Sequence, residues 1–275
     1  MKELFILFVF AFFLISSLES IGQETVPATK QLLVVAHRGA SGSAPENTRA
    51  SFQRAIDLKS EYIELDVHQS KDSVLVVLHD LSVNRTTNGK GKIRELSYDF
   101  IASLDAGEKF GLEFKGEKIL TLEEVILFVN GKSILFIDLK KGGNYYKGIE
   151  DRIVNLIKKH DAHSWCILQT LDKPTLIRIH QLDPAIVIYK SLIGKIPLLP
   201  FYIDNRLNTK KILDFPMADG FTVHHKLLTK KLVNKIHARN RKVFAWTAND
   251  IKHITNARAK GVDGIITNFP ERIIK

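Results

Sequence analysis

Short apolar runs alternate with amphipathic segments along almost the whole chain, and this alternation constrains the fold more than any other feature. The apolar runs predict eight strands, at about residues 32–36, 61–67, 133–139, 164–169, 185–189, 218–223, 242–246 and 263–267. Helices are predicted between most of them, at about residues 48–58, 146–160, 173–181, 229–239 and 250–260, with another near Lys210. Such alternation is typical of a parallel sheet in an α/β protein. The strand count and the chain length favour a TIM-type (β/α)8 barrel over an open doubly wound sheet.

Residues 84–120 interrupt this rhythm. They contain the glycine-rich stretch Asn88-Gly-Lys-Gly-Lys92 and the turn-like Asp105-Ala-Gly107, but no clear strand–helix–strand unit. We therefore predict a small insertion at about 84–120, after the second strand region and on the loop side of the barrel. A phosphate-binding P-loop would need Gly-Lys followed by Ser or Thr, which is absent here, so a nucleotide site of that kind is excluded.

The N-terminus has the features of a targeting segment. A basic start at Lys2 is followed by an apolar run from Leu4 to Ile15 and by small and polar residues through Gly22. This order predicts a secretory signal peptide at 1–22, with a barrel domain at 23–275. Twelve apolar residues are too few to span a membrane comfortably. The chain has a single cysteine, Cys166, so it cannot form an internal disulfide, and export without disulfides favours a bacterial periplasm or cell surface.

The chain carries a net charge of +10. A positive balance favours acidic partners such as phosphate esters or an anionic membrane surface. The lysines are scattered and are not interleaved with aromatic residues, so we expect no nucleic acid partner. Contact with a membrane surface stays open at this point.

Two acids stand within the second predicted strand. Side chains on a strand alternate between its faces, so Glu64 and Asp66 share one face while Ile63, Leu65 and Val67 pack on the other. Adjacent buried carboxylates repel each other unless something neutralises them. A hard divalent cation is the simplest partner, because carboxylate oxygens are its natural ligands. Pairing with Arg or Lys is the structural alternative.

Polar side chains lie on or just after the predicted strands, and His79 follows a further strand-like run at 74–78; a barrel of this kind places its active site at the C-terminal ends of its strands. This set consists of His37, Arg38, Glu64, Asp66, His79, Asp138, Lys140 and Trp246. Three acids can hold a calcium or magnesium ion, two imidazoles can exchange protons, and Arg38 and Lys140 can hold a phosphate. The set points to metal-assisted cleavage of a phosphoryl ester. Trp246 is explained equally well as an aromatic wall of the site or as barrel packing.

These residues belong to a longer series of motifs that resembles the glycerophosphodiester phosphodiesterase family. The motifs are His37-Arg38-Gly39, Pro45-Glu46-Asn47-Thr48, Glu64-Leu-Asp66-Val, His79-Asp80, Arg85-Thr86-Thr87, Leu104-Asp105-Ala-Gly107, Leu122-Glu-Glu124, Asp138-Leu-Lys140, Ala245-Trp246-Thr247 and Gly261-Val-Asp-Gly-Ile-Ile-Thr267. They cover nearly all of the chain after the predicted signal peptide, in the same order. The resemblance implies a TIM-type barrel with an insertion after the second histidine. It also implies hydrolysis of a small-molecule glycerophosphodiester to glycerol 3-phosphate and an alcohol, with Ca²⁺ or Mg²⁺ as cofactor.

The resemblance also assigns roles by position. His37 and His79 would be the general acid and base, in an order the sequence leaves open. Glu64, Asp66 and Asp138 would bind the metal, and Arg38, Lys140 and Trp246 would contact the substrate. Glu46 and Asn47 would orient the first loop. Asp138 stands where the family usually has Glu, which shortens that ligand by one methylene.

Two alternatives remain from the sequence. The first is a phospholipase-type enzyme of the same fold that releases a cyclic phosphate and stops. The second is a non-catalytic binder of glycerophosphate polymers or lipids. Retention of both histidines and all three acids argues against the binder.

Overall fold

Eight parallel strands close into a barrel in the computed structural model, which describes residues 31–192 and 213–274. The strands are β1 (Leu33–His37), β2 (Tyr62–Gln69), β3 (Leu75–Val77), β4 (Ile134–Leu139), β5 (Cys166–Thr170), β6 (Val187–Leu192), β7 (Gly220–His224), β8 (Lys242–Trp246) and β9 (Gly264–Thr267). All except β3 belong to the barrel, in chain order, and β1 closes it by pairing with both β2 and β9. The predicted barrel is confirmed.

Six of the described helices pack on the outside of this barrel, and a seventh, Tyr98–Ser103, belongs to an insertion. They are α1 (Arg49–Asp57), α2 (Tyr98–Ser103), α3 (Leu122–Val129), α4 (Ile149–Lys159), α5 (Lys173–Leu182), α6 (Lys230–His237) and α7 (Ile251–Ala259), with short 3₁₀ helices at Ile93–Glu95, Leu112–Phe114 and Pro270–Arg272. Thr48 caps α1, because its side chain accepts a hydrogen bond from the Ser51 amide. No helix among the described residues is both long and apolar enough to cross a membrane.

The apolar run at 74–78 has a different role from the other strands. It forms β3, which runs antiparallel to β2 through the pairs Val67–Val77 and Gln69–Leu75. The hairpin extends β2 beyond the barrel wall. The residues that follow β3, His79 and Asp80, therefore return to the mouth of the barrel. The predicted signal peptide and the predicted helix near Lys210 lie outside the described residues.

The segment between β3 and α3 is the insertion. It contains α2 and two of the 3₁₀ helices, and it has a small apolar cluster of its own. The buried members of that cluster are Val76, Leu78, Val83, Ile93, Ile101, Leu104, Ala106 and Ile119. Because it buries its own apolar side chains, the segment can stand on the loop side of the barrel without a strand in the sheet.

Alternation along the strands divides the core into two layers. Ile63, Leu65 and Val67 are fully buried between the barrel and its helices. The barrel interior instead holds an aromatic layer, in which the rings of Tyr62, Phe136, Tyr189 and Phe244 contact one another at 5.1–5.8 Å. This layer is the floor on which the polar residues of the barrel mouth rest.

Candidate active site

Three carboxylates meet directly above the aromatic floor. Glu64 and Asp66 point inward from β2, and Asp138 lies beside Asp66 in register on β4. One carboxylate oxygen from each of the three lies within 4.8 Å of those of the other two. The sequence prediction that these acids form one group is therefore confirmed. All three donors are oxygen atoms, which suits a hard divalent cation.

The acids differ in their electrostatic surroundings. Burial and the nearby charge of Asp66 raise the pKa of Glu64 well above its usual value. Burial raises the pKa of Asp138 as well, although Lys140 opposes it. Burial alone would also raise the pKa of Asp66, but the positive charges of Lys140 and Arg38 outweigh it and lower that pKa. Asp66 is thus the permanently ionised centre of the group.

Two cations lie against the acids. The ammonium of Lys140 lies 2.7 Å from Asp66 Oδ1 and also contacts the Asp138 carboxylate, while Arg38 Nε lies 3.2 Å from Asp66 Oδ2. With all three acids ionised, as ligands of a metal would be, the group and its two cations carry one net negative charge, so a divalent cation would turn the centre positive. A positive centre suits the single negative charge of a phosphodiester.

The turn His37-Arg38-Gly39 holds β1 against these acids. The Arg38 amide donates to Glu64 Oε2 at 2.9 Å, and Arg38 and Gly39 both have positive φ, at 56° and 77°. A side chain at Gly39 would also meet Ser51 atoms at 2.5–2.7 Å, so glycine is required there. The motif is thus explained by a tight left-handed turn that brings a backbone amide to a buried carboxylate.

His37 is buried beside the acids and has one fixed partner. Its Nδ1–H donates to Asn268 Oδ1 at 2.6 Å, so Nε2 is the free acceptor nitrogen and lies 3.9 Å from Glu64 Oε2. Burial and the charge of Arg38 lower the pKa of His37 to about 3. The imidazole is therefore neutral at pH 7 and can accept a proton at Nε2.

His79 stands on the loop after β3 and is more open to solvent. Its Nδ1 is 2.7 Å from Asp80 Oδ1, and its carbonyl oxygen accepts a hydrogen bond from His68 Nε2 at 3.0 Å. His68 is itself fully buried and bound through Nδ1 to the Tyr146 hydroxyl. His68 thus supports the backbone of His79.

A chain of ion pairs joins the two histidine loops. Arg85 donates to both carboxylate oxygens of Glu46 at 2.8 Å and to Asp80 at 2.8 and 3.1 Å, and Glu46 Oε1 accepts from Arg38 Nη1 at 2.9 Å. Burial alone would raise the pKa of Glu46, but Arg85 and Arg38 outweigh it and lower that pKa. Glu46 therefore ties Arg38 on the first loop to Arg85 on the loop after β3.

Asn47 holds the acid group from the other side. Its Nδ2 donates to Asp66 Oδ2 at 2.8 Å, and its Oδ1 accepts from the Asp66 amide at 3.3 Å. The residue adopts φ of 60°, a conformation that Asn tolerates better than most side chains. Asn47 thus holds Asp66, one of the candidate metal ligands, in place.

Trp246 lies on the opposite part of the same mouth. Its ring packs on the aromatic floor and meets the His224 imidazole edge to face at 5.2 Å. His225 and His253 continue this rim, with rings 4.3 Å apart. Trp246 thus packs in the barrel and borders the mouth, and its contact with substrate stays a prediction.

A cavity of about 190 Å³ lies between the first loop and the insertion. Its lining includes Glu46, Arg85, Lys109 and Phe110. The insertion therefore supplies one wall of the space next to the histidine loops.

Four supporting residues were missed by sequence reasoning: His68, Asp80, Arg85 and Asn268. Asp80 and Arg85 stood inside quoted motifs, so their positions carried a signal, but their link to Glu46 did not. Asn268 is 231 residues away from His37 and had no local signal.

Comparison with known proteins gives a consistent result. The profile of the Glycerophosphoryl diester phosphodiesterase family matches residues 37–272. A glycerophosphodiester phosphodiesterase of Caldanaerobacter subterraneus subsp. tengcongensis is 36% identical over 244 residues, 88% of this chain and 96% of that protein. One from Bacillus altitudinis is 32% identical over 246 residues, 88% of this chain and 96% of its own length. Among solved structures, an Oleispira antarctica phosphodiesterase in complex with the product sn-glycerol-3-phosphate aligns with a TM-score of 0.76 at 28% identity, covering 88% of this chain and 94% of that one.

Proposed function

The chain belongs to the glycerophosphoryl diester phosphodiesterase family, a family of phosphoric diester hydrolases, and on this premise we propose how its own residues perform the reaction. The substrate is a glycerophosphodiester, and the products are glycerol 3-phosphate and an alcohol. The observation that carries the proposal is the meeting of His37, three acids and two cations at one end of the barrel, with His79 on the adjoining loop.

A divalent cation fits the acid group. Glu64, Asp66 and Asp138 supply only oxygen donors, and the buried Asp66 Oδ1 lacks a well-directed hydrogen bond, although the Lys140 ammonium lies 2.7 Å from it. We propose that these three residues hold Ca²⁺ or Mg²⁺, which would polarise the phosphoryl oxygens when bound. The shorter Asp138 still offers a carboxylate oxygen to the group.

His37 is the better candidate for the base. It is neutral, and its hydrogen bond to Asn268 leaves Nε2 free to accept a proton from an attacking hydroxyl. His79 is the better candidate for the acid that protonates the leaving alcohol, because Asp80 at 2.7 Å can stabilise its charged form. In the family scheme the attacking group is a glycerol hydroxyl, and water then opens the cyclic phosphate.

Arg38 and Lys140 hold the phosphate in this proposal. Both side chains are mostly buried next to the acids, and each can turn part of its donor set toward a phosphoryl oxygen. Binding of the anionic substrate would also offset their charge. The cavity beside Arg85 and Phe110 is the proposed place for the leaving alcohol, because it opens between the two histidine loops.

We further propose export by the segment 1–22, followed by action in the periplasm or at the cell surface. The support is the sequence order of a basic start, an apolar run and small residues. A positive net charge of +10 would favour approach to an anionic membrane surface.

The test is release of glycerol 3-phosphate from glycerophosphocholine and glycerophosphoethanolamine. Turnover should require Mg²⁺ or Ca²⁺, stop with chelator, and fall about a hundredfold or more in His37→Ala and in His79→Ala. His180→Ala, on the outer helix α5, is the matched control and should keep full activity. Phosphorus NMR would show a lasting cyclic phosphate if the enzyme were of the phospholipase type. Binding of the diesters without turnover under every metal condition would contradict the proposal and favour the non-catalytic binder.

A further inference from the structure

Buried polar atoms without a hydrogen-bond partner are rare in folded proteins, and those found usually have a functional reason. Among the described residues there are four such side-chain atoms: Arg38 Nε, Asp66 Oδ1, Gln169 Oε1 and Trp246 Nε1. All four lie at the mouth of the barrel. The first two have ion-pair contacts, with Asp66 and Lys140 respectively. Gln169 Oε1 and Trp246 Nε1 have no such contact and need another explanation.

Gln169 and Trp246 occupy equivalent positions on two strands of the barrel, each two residues beyond a member of the interior apolar cluster. Gln169 is two residues beyond Ile167 on β5, and Trp246 is two residues beyond Phe244 on β8. Ile167 and Phe244 both belong to the interior apolar cluster. Since side chains alternate along a strand, Gln169 and Trp246 rise from that floor into the mouth. Gln169 is also the in-register neighbour of Asp138.

The two atoms have opposite hydrogen-bonding character. The Gln169 oxygen can only accept, and the Trp246 indole N–H can only donate. A phosphoryl oxygen of a diester cannot satisfy Gln169 Oε1, because it has no hydrogen to donate. A hydroxyl group satisfies either atom, since it is both donor and acceptor. The ligand group that fits both is therefore an alcohol, and a polyol offers one hydroxyl to each.

We infer that Gln169 and Trp246 form a hydroxyl-binding subsite that recognises the glycerol part of the substrate. This inference rests on the proposed function and names two specificity-determining groups for it, of which Gln169 stands in none of the sequence motifs quoted above. Thr222, an interior polar residue on β7, is not a candidate for this role. It already donates its hydroxyl to Ser191 at 3.0 Å.

The subsite also explains why an amide stands at position 169. A carboxylate there would add a fourth acid beside Asp138 and would repel the phosphate of the substrate. An apolar residue would fill the space but could not accept from a hydroxyl. Gln accepts without charge, so it can discriminate between a hydroxyl and a methyl group next to the metal-binding acids.

The experiment compares two ligands that share a phosphate and a three-carbon chain, sn-glycerol 3-phosphate and 1-propyl phosphate. Equilibrium dissociation constants are measured by calorimetry with the metal-loaded full chain. The wild-type enzyme should bind glycerol 3-phosphate about tenfold or more tightly than propyl phosphate, because unpaired Gln169 and Trp246 atoms penalise the ligand without hydroxyls. Equal affinities in the wild-type enzyme would overturn the inference without any variant.

Two variants then locate the discrimination. Gln169→Met keeps the side-chain length but removes the acceptor, and Trp246→Phe keeps a ring but removes the donor. Each variant should bind glycerol 3-phosphate severalfold more weakly than the wild-type enzyme does, and should bind propyl phosphate with unchanged affinity. The unchanged affinity also shows that the variant is folded. Thr222→Val is the matched control and should keep the wild-type ratio of the two dissociation constants. Unchanged ratios in both test variants would mean that the two atoms are satisfied by water alone, and would refute the subsite.

The outcome is separable from that of the proposed function. Discrimination without turnover of any diester would leave the subsite standing and remove the hydrolase mechanism. Turnover of a diester without discrimination between glycerol 3-phosphate and propyl phosphate would support the hydrolase mechanism and refute the subsite.

Discussion

Replacement of Asp80 by Asn tests how His79 is held. In the structure Asp80 Oδ1 lies 2.7 Å from His79 Nδ1, and both Asp80 oxygens accept from Arg85. The Asp80 carboxylate accepts a hydrogen bond from Nδ1–H of His79. Nδ1 therefore carries a proton, and Nε2 takes no part in this contact. An Asn of the same size can place its NH₂ group against Nδ1 instead, which favours the other tautomer.

The magnitude follows from how open the pair is to water. Removal of a buried orienting carboxylate can cost about 10⁴ in kcat. The Asp80 side chain is 31% exposed, so water can replace part of its effect. We therefore expect kcat to fall about 10- to 100-fold, or about 1.4–2.7 kcal/mol in the activation barrier, with KM little changed. Asp80→Glu, which restores a carboxylate, should recover part of the loss.

The same variant has a predicted effect on stability. Hydrogen bonds from Arg85 and His79 lower the pKa of Asp80 to about 2. A carboxyl with a lowered pKa in the folded state stabilises that state above its ordinary pKa of about 3.9 and loses the effect as the pH falls toward 2. After allowance for solvent screening, the variant should be less stable than wild type by about 1 kcal/mol at pH 7, and this gap should shrink below pH 4.

The assays are steady-state kinetics on glycerophosphocholine and urea unfolding at several pH values. A kcat within twofold of wild type, in a variant that is folded at the assay temperature, would refute the claim that Asp80 orients His79. A stability gap that stays constant from pH 7 to pH 2 would refute the electrostatic part of the argument.

Three further predictions concern other parts of the barrel. Phe136→Ala should lower the free energy of unfolding by about 3–5 kcal/mol, because the fully buried ring contacts three others in the aromatic floor; a loss below about 1 kcal/mol in urea titration would contradict that packing. The Cys166 thiol should resist Ellman's reagent in the native protein and react fully in guanidinium, because burial raises its pKa to about 12; rapid native labelling would show that the strand opens. His225→Gln should make stability less sensitive to acid, because burial and the neighbouring His224 and His253 lower the pKa of His225 to about 4. The folded state therefore resists a proton that the unfolded state takes up as the pH falls below about 6.5, so stability falls with pH from there toward 4. Equal slopes of unfolding free energy against pH, from 7.5 to 5, in variant and wild type would exclude this contribution.

Local patterns in the sequence were sufficient for much of the fold and part of the site. The eight barrel strands were predictable because parallel strands buried on both faces are short uninterrupted apolar runs. The shared face of Glu64 and Asp66 followed from alternation alone, since two residues along one strand must point the same way. The motifs around His37, His79 and Asp138 then carried the family and the type of chemistry.

Tertiary structure decided what is joined across the chain. The run at 74–78 has the composition of a barrel strand, and only its pairing showed that it is the second half of a hairpin. Arg85 and Glu46 lie 39 residues apart, and His37 and Asn268 lie 231 apart, so neither contact leaves a local pattern. Gln169 could not be singled out from the sequence for a similar reason. A buried amide is ordinary when it has a partner, and whether it has one depends on strands that are distant in the chain and adjacent in the barrel.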